Sequence, residues 1–247
     1  MRINVMLAAA LLAVVCFAPA AQSAEAEKTI RVAVVTGGHA FERKALFDMF
    51  DAIPGIEHTH IRLQDNSEVF EDIEDWPYDV LLLYNMSDGI SEKRQANFKT
   101  LLERGVGLVV LHHAIANYPD WPGYREIIGA AYFRKETEID GVTHPKSEYT
   151  HDVDVSIKVA DDTHPVTAGL TDFSLNDEVY RKWVLDPGNR VLLTTDHPES
   201  DPALCWVRNY SAGRVVCIQP GHGPGSFADA SFRRLVSQAI DWTAGKD

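Results

Sequence analysis

The stretch GLVVLHHAIANYP, residues 107–119, decides how the chain is read. Residues 108–111 are four apolar side chains in a row. A run that short and uniform suits a strand buried on both faces, as in the middle of a parallel sheet. It ends on two imidazoles, His112 and His113. Side chains alternate across a strand, so at most one of the pair is expected to face a site. We assign that place to His113, the further past the strand end. His112 is expected to lie under a helix or cap a backbone carbonyl.

Working outward, TIRVAVVTGG (29–38) is a second β-rich run, closed by paired glycines. Leu46, Met49, Phe50 and Ile53 fall at helical spacing, and Pro54–Gly55 stops that helix. IEHTHIRL (56–63) alternates as a strand, and YDVLLLYN (78–85) reads as another. Ser91 is placed to cap a helix that carries Phe98, Leu101 and Leu102 and ends before Gly105. Strand and helix therefore alternate through the first half, which predicts an α/β fold: a doubly wound, mostly parallel, flavodoxin-like sheet with helices on both faces. The polar, Tyr/His-rich stretch 130–165 breaks the pattern. It holds one alternating segment, HDVDVSIKV (151–159), and reads as an insertion over the open sheet edge. RVLLTT (190–195) and a hairpin turning at YSAG follow, then a last helix capped by Asp229. A single domain over residues 29–244 is expected.

The 247 residues carry a net charge of −13, which argues against nucleic acid or an anionic membrane as the main partner. The opening MRINVMLAAALLAVVCFAPAAQSA has a basic start, an apolar middle and a small-residue exit, the pattern of a cleaved signal peptide over residues 1–24. A secreted or periplasmic protein without a stable membrane anchor is expected. Cys205 and Cys217 then remain on the two hairpin strands, where they could face each other as a disulfide or pack as small buried hydrophobes.

Ligands of open α/β sheets bind beyond the carboxyl ends of the strands. His39 (TGGHAF), His113 (LHHA) and His222 (IQPGHGPGS) each follow a predicted strand. If the sheet forms, they converge and could act as acid–base groups or hold a divalent metal between them. A lone histidine at a strand end is commonly a hydrogen-bonded structural group, so the weight rests on three at equivalent places. Glu178 in SLNDEVYRKW is a candidate base, orienter or ligand, with Tyr180 beside it. Tyr118 and Trp121, just past the histidine pair, suit the apolar faces of a sugar ring; the alternative is core packing. No HExxH, paired CxxC, GxGxxG or GxSxG pattern is present to direct the reading elsewhere.

The segments VAVVTGGHAFER, GVGLVVLHHAIANYPDWPGYREIIGA, DDTHPVTAGL, SLNDEVYRKW and GRVVCIQPGHGPGSFADASFRRLVSQAIDW, in that order and spacing, resemble the ThuA-like (trehalose utilisation) family over about residues 29–243. The resemblance implies a fold similar to the class I glutamine amidotransferases, in which the turn after the 107–111 strand is the elbow bearing a nucleophilic cysteine. Here that turn reads HHA, and neither hairpin cysteine can replace the thiol, so thiol-based glutamine hydrolysis is not expected. It also implies a small-molecule carbohydrate partner, through 3-keto sugars made by a partner dehydrogenase. His113, His222 and Glu178 are then the expected catalytic groups, and His39, His112, Tyr118, Trp121 and Tyr180 the substrate contacts. A carbohydrate-binding protein without catalysis is the alternative.

Overall fold

A computed structural model describes residues 28–65 and 67–246. The expected signal peptide lies outside the described residues. In chain order the elements are β1 (Ile30–Gly37), α1 (Arg43–Asp51), β2 (Ile56–Arg62), β3 (Val80–Asn85), α2 (Glu92–Glu103), β4 (Gly107–Leu111) and α3 (Pro122–Ile128). There follow the short β5 (Ala130–Ala131), β6 (Thr137–Ile139) and β7 (Val142–His144), then the long β8 (Glu148–Val159) and β9 (Phe173–Arg181). β10 (Val184–Leu185), β11 (Arg190–Thr194), β12 (Ala203–Tyr210), β13 (Gly213–Ile218), α4 (Pro224–Ala228) and α5 (Ala230–Thr243) come last among the described residues.

Nine strands form one sheet in the order β2-β1-β3-β4-β13-β12-β11-β8-β9. The first five run parallel, as their apolar runs predict. The period of two along each strand divides the core between the sheet's faces. Val32 and Val34 pack with α1 and α5 through Leu46, Phe50, Phe232 and Leu235. Ala33 and Val35 lie in the opposite layer with Phe98 and Leu101 of α2 and Ile127 and Ile128 of α3. Ser91 caps α2 and Asp229 caps α5, each side chain accepting a backbone N–H three residues on.

Stretch 130–165 differs from its expected role. Its alternating segment is longer than read, and instead of covering the edge it extends the sheet. β8 joins β11 through two residue pairs and then runs antiparallel to β9 as a two-stranded arm. The hairpin also corrects the cysteine reading. Cys205 is opposite Ile218 and Cys217 is opposite Trp206. That offset of one places the thiols on opposite faces, in different core layers, and both are free.

Candidate functional site

The order β2-β1-β3-β4-β13 is the flavodoxin arrangement, whose switch point lies where the connections from β1 and β3 part to opposite faces. The β1 turn passes very close to the chain leaving β3. A Cβ on Gly38, whose φ is +72°, would stand 2.1 Å from the Met86 carbonyl oxygen. Only glycine fits there, and the turn delivers His39 to the mouth of the sheet.

The histidine pair divides differently from the simple alternation. β4 ends at Leu111, and His112 starts a 3₁₀ turn with a left-handed φ of +55°. This conformation is uncommon for a residue with a Cβ and marks a sharp elbow. The elbow turns both rings towards the site. His112 Nδ1 donates to the Gln219 carbonyl at 2.8 Å, which is the expected carbonyl cap. Its Nε2 faces outward, 3.2 Å from His222 Nδ1, 3.1 Å from the Tyr180 hydroxyl and 3.5 Å from Glu178 Oε1. His113 Nε2 donates to the Tyr84 carbonyl at 3.3 Å, and its ring stacks on His39 with centroids 4.4 Å apart. Burial, then the neighbouring His112 and His39, hold His113 well below the usual imidazole range, so it is neutral. Its buried Nδ1 has no protein partner.

Glu178 comes from the middle of β9. Burial pushes its carboxyl up, but His112, the Tyr180 hydroxyl and His222 together hold it below the usual glutamate range. His222 is lowered by burial and by His112, against the pull of Glu178. Next door, Asp177 locks the loop after β13: it accepts the backbone N–H groups of Gly221 and His222 at 2.8 and 2.9 Å and the Ser226 hydroxyl. Two adjacent residues of the arm thus supply a carboxylate set among imidazoles and one held by backbone N–H groups.

His151 is the residue that sequence reading missed. The pairs Thr150↔Val179 and Val153↔Asp177 leave His151 and Asp152 opposite Glu178 alone, so β8 carries a bulge there. Asp152 takes a φ of +56°. Bulges re-aim side chains, and this one sets His151 Nδ1 2.7 Å from Glu178 Oε2. The only signal was a His inside an alternating strand; nothing local marks the bulge.

The site opens into a cavity of about 360 Å³, lined by His39, His113, Tyr132, Tyr149, His151 and Glu178, with Arg134 and Lys146 also in its wall. The expected His39, His113 and His222 do come together, the His39 and His222 centroids lying 6.5 Å apart. They are not the tight donor set, however. Among the described residues, the group whose donor atoms lie within 4.8 Å of one another is His112, Glu178 and His222. The elbow, by turning His112 rather than His113 towards His222, decides this.

Two expected sugar contacts are corrected. Tyr118 and Trp121 are 1% and 6% exposed and pack in the α2/α3 layer, with the Tyr118 hydroxyl 2.7 Å from Ser67 Oγ. The 3₁₀ turn folds them back under the sheet. The aromatics of the cavity are Tyr132, Tyr149 and Tyr180, from the arm and the chain leading into it.

A family model described as ThuA, trehalose utilisation, matches residues 31–243. The structure resembles a ThuA-like protein from Parabacteroides merdae (19% identity, 88% of this chain and 91% of that one, TM-score 0.72). It also resembles a ThuA-like protein from Bacteroides uniformis (19% identity, 92% and 96% covered, TM-score 0.64). A more distant likeness is to PurLQS from Thermotoga maritima (14% identity, 87% and 99% covered, TM-score 0.57). Among curated proteins, none matches the sequence. With a family match across almost all of the described residues, and with a fold shared by ThuA-like structures, the chain belongs to the ThuA family of trehalose utilisation.

Proposed function

We propose that this chain is an exported enzyme that acts on 3-keto disaccharides or glycosides by proton transfer from histidine and glutamate. One observation carries the reading. Glu178 is a nearly buried carboxylate whose close ionisable neighbours, among the described residues, are the imidazoles of His112, His151 and His222. A structural carboxylate is ordinarily held by cations or backbone N–H groups, as Asp177 is. One set among imidazoles beside a cavity suits a proton that moves. The cavity volume falls in the usual range for small-molecule sites.

A ketone at C3 acidifies the adjoining C–H bonds of the ring. Glu178, ionised at neutral pH, would take that proton, with His151 holding the carboxylate. His222, half-buried and with Nδ1 3.6 Å from Glu178 Oε2, would take that proton from the carboxyl on one ring nitrogen and release one from the other at a ring or glycosidic oxygen, which returns Glu178 to its ionised form. Tyr180, whose phenol burial pushes well above its ordinary range, remains a donor towards the His112–Glu178 pair. The family's link to trehalose utilisation supports a sugar as substrate. The leader-like opening sequence supports export, which N-terminal sequencing of the mature protein tests: its first residue should fall within residues 21–27.

The deciding assay incubates the purified protein with 3-keto-trehalose and 3-keto-glucosides, with the unoxidised sugars as controls. Turnover of the keto sugars is expected, and Glu178→Gln should lower kcat by about 10²–10⁴-fold with the fold intact. Unchanged turnover in that variant would sink the assigned role. Tight sugar binding with no turnover by the native protein would show a binding module instead.

A further inference from the structure

We propose that His112 Nε2, His222 Nδ1 and a Glu178 oxygen form a binding site for one zinc-class divalent cation, beside the cavity that Glu178 lines. The site stands on donor geometry and does not depend on the sugar reading. That reading supplies only what would approach the ion.

The spacing is the first support. Ligands bound at 2.0–2.1 Å in a tetrahedral site stand about 3.3–3.4 Å from one another. His112 Nε2 and His222 Nδ1 are 3.2 Å apart, His112 Nε2 and Glu178 Oε1 3.5 Å, and His222 Nδ1 and Glu178 Oε2 3.6 Å. The two distances at His112 Nε2 match tetrahedral edges; the third ends on the other Glu178 oxygen, and one donor atom from each residue lies within 4.8 Å of the other two.

Tautomers are the second support. The Gln219 carbonyl can only accept, so His112 carries its proton on Nδ1 and points the Nε2 lone pair at His222. In a protein without an ion, that contact needs a proton on one of the two facing nitrogens. A cation takes the proton's place and leaves both rings neutral, the form that binds metal.

The outer partners are the third support. An imidazole ligand in a metal site usually donates its other N–H to a carbonyl or carboxylate, and a carboxylate ligand is itself hydrogen-bonded. His112 has the Gln219 carbonyl; Glu178 has His151 Nδ1 at 2.7 Å and the Tyr180 hydroxyl beside it. Gln219 also donates from its side chain to the Glu178 backbone carbonyl at 3.0 Å, tying the β13 end to β9. The turn that bears His222 is clamped by Asp177. Two imidazoles and one carboxylate select zinc-class ions over magnesium or calcium, which need more oxygen ligands. Three protein ligands leave a fourth position, and a ketone or hydroxyl oxygen from the cavity could be polarised there.

The test uses the full mature chain stripped with a chelator and titrated with Zn²⁺ by calorimetry and with Co²⁺ by visible absorption. One ion per chain is expected, with a Co²⁺ spectrum of four- or five-coordinate intensity and a higher Tm on loading. His222→Ala lies in a half-buried loop and should fold; it and Glu178→Ala should each weaken binding at least 100-fold. Tyr180→Phe should cost about 10–100-fold through the carboxylate it supports. His58→Ala, at the remote Asp51 pair, should change nothing. Failure of the native folded protein to bind either ion stoichiometrically overturns the site, as does binding that survives both His222→Ala and Glu178→Ala. Metal binding without keto-sugar turnover leaves the site standing and overturns the functional reading; turnover by a protein that binds no ion does the reverse.

Discussion

The parallel half of the sheet and the antiparallel arm contribute to the site in opposite ways. β1, β3, β4 and β13 are almost wholly buried, and their chemistry lies beyond their ends, on His39, His112, His113 and His222. In the arm the chemistry comes from mid-strand: Asp177, Glu178 and Tyr180 on β9 and His151 at the bulge of β8. A central strand sandwiched between helix layers has no free face, so only its end can present a polar group. An edge arm has an uncovered face and can spend whole residues on a ligand. The difference separates framework from site: damage to the first should cost stability, and damage to the second should cost substrate.

The largest expected effect is in the framework. Leu82 on β3 is fully buried in the α1/α5 layer. Leu82→Ala should lower unfolding free energy by about 2–5 kcal/mol in chemical denaturation, with KM on the keto sugar unchanged in whatever protein remains folded. A KM shift as large as that of a cavity-wall variant would erase the division. Next comes Tyr118, a residue read as a sugar contact and found in the framework. Tyr118→Phe leaves Ser67 Oγ without its partner and should cost about 1–3 kcal/mol by thermal or denaturant melting. Binding of the keto sugar should not change, and a rise in KM would return Tyr118 to the site. The smallest effect on stability belongs to Tyr149, which is 57% exposed at the cavity wall. Tyr149→Ala should stay within about 0.5 kcal/mol of the native protein while raising KM. An unchanged KM would remove this wall of the arm from the substrate path.

Much was legible in the chain because it is locally encoded. Apolar runs of four or more named the parallel strands, and alternation named β2 and β8. Ser91 and Asp229 announced their helices. The five-segment resemblance identified the family. The convergence of His39, His113, His222, Glu178 and Tyr180 at one mouth of the sheet also followed, since polar groups at strand ends or beside an apolar strand stand out in a linear reading.

What the sequence by itself determined, then, is the sheet and the list of groups at its mouth. Tertiary structure alone decided which of them meet. The left-handed backbone at His112 turned the second imidazole of the pair into the partner of His222, against a simple two-residue alternation. The bulge at His151 set a third imidazole on Glu178. The same 3₁₀ turn sent Tyr118 and Trp121 into the core. Each is a change of direction by one residue. Composition and spacing report which side chains a strand carries, whereas a one-residue turn or bulge chooses the face they occupy, and the contacts that hold it in place are long-range.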